Sequence, residues 1–128
     1  MQVSELMLRD VTLVAAEDSV KTAARAIADV DSQFIFVGTD DRIVGVLTIR
    51  DILVRLVAAG LDPVATPVSQ VMSSSLFTCT EQETANTVAE RMTEHRVEQM
   101  PVLDAAGRLV GVITRRTAAA TDLPSAPR

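Results

Sequence analysis

A chain of 128 residues holds one domain, or two very small ones fused, and is long enough to bury a core. Hydrophobic residues make up 48% and aromatics only 2%, with no Trp or Tyr, so Val, Leu, Ile, Ala and Met must build that core. A formal net charge of −5 and the shortage of stacking rings speak against a nucleic-acid or anionic-membrane surface. In chain order the pattern predicts a short helix at Val3–Met7, a strand at Val11–Ala15, and a helix from Ser19 to about Val30. A strand Phe34–Thr39, a turn at Asp40-Asp41, a strand Ile43–Thr48 and a helix Ile49–Ala59 follow, with Gly60 as the stop. Leu61 to Pro67 reads as a stiff link with two prolines. The same order then returns: Val68–Met72, Leu76–Thr80, Thr84 to about Glu94, Gln99–Leu103, a turn at Asp104–Gly107, Leu109–Thr114 and a short last helix.

The return is a repeat residue by residue. Val20, Ala23, Ala24 and Ile27 form an i, i+3, i+4, i+7 stripe, and Ala85, Val88, Ala89 and Met92 form it again. Ser19 and Thr84 hold matching N-cap positions. Gly45-Val46-Leu47-Thr48-Ile49-Arg50-Asp51 returns as Gly111-Val112-Ile113-Thr114-Arg115-Arg116-Thr117, with Thr replacing Asp at the end. In the first copy Thr48 is placed to cap a helix, and Asp51 falls in the first turn, where the helix dipole favours a carboxylate. The repeats are set at residues 1–62 and 63–123, with 124–128 a disordered tail. The helix from Ile49 to Leu61 has only Arg50, Asp51 and Arg55 as polar side chains, so burial on more than one side is expected, the second side by another subunit.

The doubled Gly-x-φ-Thr-x-x-Asp element (φ apolar), the β-α-β-β-α repeat and Met100-Pro101-Val102 together resemble the tandem CBS (cystathionine β-synthase) domain, or Bateman module, of the small stand-alone bacterial type. The resemblance runs from about Val3 to Asp122. It implies an α/β fold of two pseudo-symmetric β-α-β-β-α CBS repeats packed through small three-stranded sheets. It also implies a homodimer, with helices from both repeats at the interface, and clefts between the repeats able to take AMP, ATP or S-adenosylmethionine as a regulatory ligand. By resemblance the cleft is walled by Val46, Thr48, Arg50 and Asp51, and from the second repeat by Thr84, Ala89, Arg96, Val97 and Glu98. His95 and Arg96 match a basic pair that some members turn toward phosphates.

The chemistry of the residues supports ligand binding rather than catalysis. One His, one Cys and no nucleophile elbow or phosphate loop leave no catalytic constellation and no metal set, so a non-enzymatic module is expected. Cys79, within a predicted strand, reads as a small buried hydrophobe. A carboxylate such as Asp51 can accept from both hydroxyls of a ribose, and a helix start offers N–H groups to an anion. Glu98 opposes a charged ligand, since a carboxylate about 5 Å from a phosphate costs on the order of 3 kcal/mol at an effective dielectric of 20, unless Arg96 or Arg50 offsets it. Thr117 cannot replace a carboxylate, so at most one tightly held adenosyl ligand per chain is expected. The alternative reading is a ligand-free dimeric CBS scaffold, or protein-interaction module, with a degenerate site. Glu5 and Asp10 stand where a signal peptide would be basic and then apolar, and no apolar run spans a membrane. A soluble cytoplasmic protein, with a regulated partner protein but neither nucleic acid nor membrane as partner, is the expectation.

Overall fold

The computed structural model describes residues 1–39 and 41–120; Asp40 of the first turn, the end of the last predicted helix and the tail 124–128 lie outside them. The chain forms two compact units that are not the two halves of the sequence. The middle unit is Thr12–Leu76; the split unit joins Met1–Val11 to the chain from Phe77 onward. Each holds a three-stranded sheet in the order of its sequence, the first pair parallel and the second antiparallel.

In the middle unit β1 (Leu13–Val14) leads to α1 (Val20–Asp29), then β2 (Phe34–Thr39) and β3 (Arg42–Thr48) form the hairpin. Ser19 caps α1 by accepting from the Thr22 amide, as its position predicts. Val20, Ala23 and Ile27 of the predicted stripe are buried and meet Val14, Ile35, Val37 and Leu47 in one cluster; Ala24 is only half-buried. Burying a side chain of the size of Val or Ile contributes about 1.5–3 kcal/mol. Gly38, at φ +140°, lies at the hairpin's register shift, where a Cβ would meet the Arg42 carbonyl oxygen at 2.3 Å.

The helix after β3 departs from expectation. Only Ile49–Asp51, α2, is α-helical; Ile52–Val57 winds on as a π-helix, with the Ala58 amide donating to the Leu53 carbonyl. Leu56 is buried and Ile52 half-buried, whereas Leu53, Val54 and Val57 stand exposed. The expected burial on more than one side is therefore not met within the chain.

The Leu61–Pro67 stretch is no free link. The Thr66 and Pro63 carbonyls accept the first two amides of α1, from Val20 and Lys21, and Val68 to Met72 follows as a 3-10 turn at Val68–Gln70. Ser73 then exchanges both backbone hydrogen bonds with Val46 at 2.9 Å. The split unit uses the first residues of the chain in the same way. The Met1 carbonyl accepts from Ala85, Val3–Glu5 makes the 3-10 turn, and Leu8 exchanges both bonds with Val112 at 2.8 and 2.9 Å. Its core joins Val3 and Met7 to the buried stripe Ala85, Val88, Ala89 and Met92 of α3 (Ala85–His95). β4 (Cys79–Thr80), β5 (Gln99–Leu103), β6 (Leu109–Thr114) and α4 (Arg115–Ala120) complete it. Each segment that precedes a repeat in sequence thus packs on the other repeat.

This exchange explains the two strand glycines. A Cβ on Gly45 would lie 2.7 Å from Met72 Sδ and 2.8 Å from the Ser73 carbonyl oxygen. On Gly111 it would lie 2.7 Å from the Leu8 carbonyl oxygen and 2.8 Å from Met7 Sδ. Close approach is what a glycine inside a strand implies.

Candidate functional site

Val46, Thr48, Arg50 and Asp51 come together where β3 runs into α2. The Asp51 amide donates to Thr48 Oγ1 at 3.1 Å, and the Thr48 amide donates to Asp51 Oδ2 at 3.0 Å, a reciprocal capping box. The carboxylate is held nearly still and stays about 15% exposed, with Oδ1 4.0 Å from Arg55 Nε. One carboxylate oxygen is committed to the backbone; the other faces a single partly exposed cation. Arg55 also donates to the Met72 carbonyl at 3.1 Å, which ties the π-helix to the segment that pairs with Val46. Sequence reasoning gave Arg55 no role, although its place four residues after Asp51 was the available signal. Arg50 points into solvent, and Val46 is half-buried with its backbone engaged by Ser73.

The split unit places its five expected contacts at three levels of α3. Thr84 is the N-cap, accepting from the Thr87 amide and donating to Thr87 Oγ1. Ala89 lies mid-helix and is buried in the core cluster. Arg96, Val97 and Glu98 follow the helix end, one 11-residue helix away from Thr84, or about 16 Å at 1.5 Å per residue. Arg96 sits at φ +58° as the left-handed C-cap of α3; after α1 the cap is Val30, at φ −95°, and the left-handed residue is Asp31, one position further on, at φ +53°. Glu98 is answered by neither Arg96 nor Arg50. Arg115 takes its carboxylate through Nε at 3.1 Å and Nη2 at 3.0 Å, while the Arg115 amide donates to the Glu98 carbonyl. Arg115 is therefore paired.

At the second copy of the element the hydroxyls satisfy each other. Thr114 Oγ1 donates to Thr117 Oγ1 at 2.9 Å and accepts the Thr117 amide at 3.2 Å. His95 ends α3 and stacks on Phe77 with centroids 4.2 Å apart. Cys79 is buried, and its thiol is pushed up to about 12, first by burial and then by Glu83, with Arg91 opposing. That is an inert thiol. Glu83 and Arg91 form a bidentate pair, and Glu83 also accepts the Thr80 amide; the Arg91 hydrogen bond holds this carboxyl below its ordinary range. Among the described residues no three His, Cys, Asp or Glu side chains gather as a metal set, and no helix is long and apolar enough to cross a membrane.

The CBS domain family model matches the chain twice, over residues 3–58 and 68–120. The chain belongs to the CBS-domain family. Over 111 residues it is 32% identical to Hypoxic response protein 1 of Mycobacterium tuberculosis, covering 86% of this chain and 77% of that one. It is similar to the crystal structure of Hypoxic Response Protein I with two coordinated zinc ions, at TM-score 0.82 and 30% identity over 94% of this chain and 98% of that one. Two further CBS structures share the fold at lower identity. CBSX2 in complex with AMP aligns at TM-score 0.79 and 22% identity, over 95% and 96% of the two chains. The CBS domain pair of MJ0100 in complex with 5-methylthioadenosine and S-adenosyl-L-methionine aligns at 0.79 and 20%, over 94% of each.

Proposed function

We propose that this CBS protein is a non-enzymatic regulatory module that binds an adenosyl ligand of the AMP, ATP or S-adenosylmethionine class and signals through a homodimer. The observation that carries the reading is the Asp51 carboxylate, fixed by its capping box at the start of a helix with one oxygen left to accept. A ribose hydroxyl donating to Oδ1 makes a charge-assisted bond of about 1.5–3 kcal/mol with no side-chain ordering left to oppose it. Thr48 Oγ1 caps the same helix start, the half-buried Val46 lies two residues before it on β3, and Arg50 offers a cation that can reach a phosphate. Thr84, Ala89, Arg96, Val97 and Glu98 are further contacts proposed from the family resemblance. Proteins of this fold that hold AMP or S-adenosyl-L-methionine support the ligand class.

The test is a thermal melt with AMP, ATP and S-adenosylmethionine titrated separately to millimolar concentration. A ligand of the native state raises the melting point with dose. A flat response to all three removes the reading and leaves a ligand-free dimeric scaffold, which the satisfied Thr114–Thr117 pair favours for the split unit's copy of the element.

A further inference from the structure

Resting on the adenosyl-ligand reading above, we infer that Arg55 sets the charge preference of the ligand at the Asp51 junction. It shifts that preference toward a phosphate-bearing adenosine and away from a cationic one. Asp51 alone would do the reverse. Its carboxylate is held by the Thr48 amide and is 15% exposed, so a ligand donating to Oδ1 meets a fixed negative charge. A fixed anion repels a phosphate and attracts a sulfonium, and the chain's net charge of −5 adds to that bias. Arg55 Nε stands 4.0 Å from the same Oδ1 and offsets it. That separation is too long for a hydrogen bond, so Oδ1 keeps its lone pairs for a ligand hydroxyl while a positive charge stays beside it.

Arg55 differs from Arg50 in having a fixed seat. Its Nη1 donates to the Met72 carbonyl at 3.1 Å and to the Val71 carbonyl at 3.4 Å, whereas Arg50 points into solvent. Ser73, the next residue of that strap, exchanges both backbone hydrogen bonds with Val46, two residues before Thr48. Guanidinium, strap, strand and cap thus run in a ring around the carboxylate, and the ion pair is the link that closes it. With the Arg55 side chain 53% exposed, the pair adds little to stability, so its charge is free to act on a ligand. The duplication agrees. At the equivalent places of the second copy Thr117 stands for Asp51 and Thr121 for Arg55, so carboxylate and cation are missing together.

Calorimetry at low salt on the full chain compares AMP, adenosine and S-adenosylmethionine in wild type, Arg55→Gln, Arg55→Lys and Arg25→Gln, with circular dichroism and melting confirming that each is folded. Arg55→Gln should weaken AMP by about fivefold and tighten S-adenosylmethionine by about as much, the size of one partly exposed charge interaction. Adenosine should stay within about twofold of wild type, and high salt should shrink both changes. A loosened strap would weaken all three ligands alike, so opposite movement of the two charged ones is a readout that packing alone does not give. Arg55→Lys keeps the charge and should keep the wild-type ratio of AMP to S-adenosylmethionine affinity. Arg25→Gln removes the same charge from the exposed face of α1 and should also keep it. A ratio unchanged in Arg55→Gln, a ratio moved as far by Arg25→Gln, or three affinities that fall together overturns the inference while ligand binding stands. A wild type that binds none of the three removes the adenosyl-ligand reading itself, and the inference with it.

Discussion

The two strand-to-helix junctions share a backbone and differ in charge. At Thr48–Asp51 a carboxylate closes the cap, and at Thr114–Thr117 a pair of hydroxyls does so. The same backbone bond precedes each, from the Ile49 amide to Gln33 and from the Arg115 amide to Glu98. Around it the middle unit sets an amide and an aliphatic side chain, the split unit an ion pair. Duplication preserved the geometry that caps the helix, because four free amides must be satisfied wherever one starts. It did not preserve the charge that a ligand would meet. The middle junction offers a fixed anion, and the split junction is already neutralised.

The shared backbone can be broken most severely at the glycines. Gly45→Ala and Gly111→Ala should each lose about 2–3 kcal/mol, since the added methyl meets backbone as well as a methionine sulfur and the strap must move. Equal losses in denaturant melts would show that both straps are held equally. A loss below about 0.5 kcal/mol at either would show that its strap yields.

The difference between the junctions is sharpened by ligand. Asp51→Ala should weaken adenosyl-ligand binding at least tenfold, and Thr117→Ala should leave it unchanged. Calorimetry on wild type should give at most one site per chain. Two equivalent sites would mean that hydroxyls serve where the carboxylate was assigned. Asp51→Ala also loses its half of the capping box, about 1 kcal/mol of stability, so affinity must be measured well below the melting point.

Much of this comparison is legible in the sequence. The helix stripes, both N-caps and the sheet hairpins follow from period and from residues such as Ser19 and Thr84 that have one good place in a helix. The exchange of straps is not legible, because Val3 and Met7 advertise an apolar face without naming its partner. The π-helix is hidden for a related reason: Ile52-Leu53-Val54 and Leu56-Val57 are apolar on every side, so no period betrays the winding. Glu98 and Arg115 stand 17 residues apart, and their pairing needed the hairpin to bring them together. At the candidate site the sequence supplies Thr48 and Asp51 directly, but it cannot show that one carboxylate oxygen is spent on the cap.

A third test separates the units by acid. The Arg91 hydrogen bond lowers the Glu83 carboxyl from its ordinary value near 4.5. A carboxyl lowered in the folded state contributes stability that is complete above the unfolded value and is lost as pH falls through the folded one. Stability assigned to Glu83 should therefore be constant at neutral pH and decline below about pH 4.5. Glu83→Gln should cost about 1–2 kcal/mol at pH 7 and flatten that decline. The middle unit has Asp18 at the equivalent place, accepting the Ala15 amide, and Ala26 where Arg91 would stand. A Glu83→Gln protein whose stability fell below pH 4.5 as steeply as wild type would remove the assignment.

The smallest effect is expected at the ion pair that neutralises the split junction. Glu98 and Arg115 are 60 and 42% exposed, and exposed pairs contribute about 0–1 kcal/mol. Arg115→Ala should therefore cost no more than about 0.5 kcal/mol, and less at high salt, since screening already weakens the pair. Its electrostatic effect should be larger than its effect on stability. Removing the guanidinium leaves Glu98 as an uncompensated anion beside Thr114, so a phosphate-bearing ligand should be repelled more strongly and a neutral nucleoside hardly at all. Adding Glu98→Gln to Arg115→Ala should restore the wild-type response, because the pair then leaves no net charge. Titrating ATP and adenosine against wild type, the single variant and the double variant at low salt reads this directly. An Arg115→Ala protein that binds ATP as wild type does would show that the split junction lies outside the field the ligand feels, leaving Asp51 and its surroundings to account for all charge selectivity.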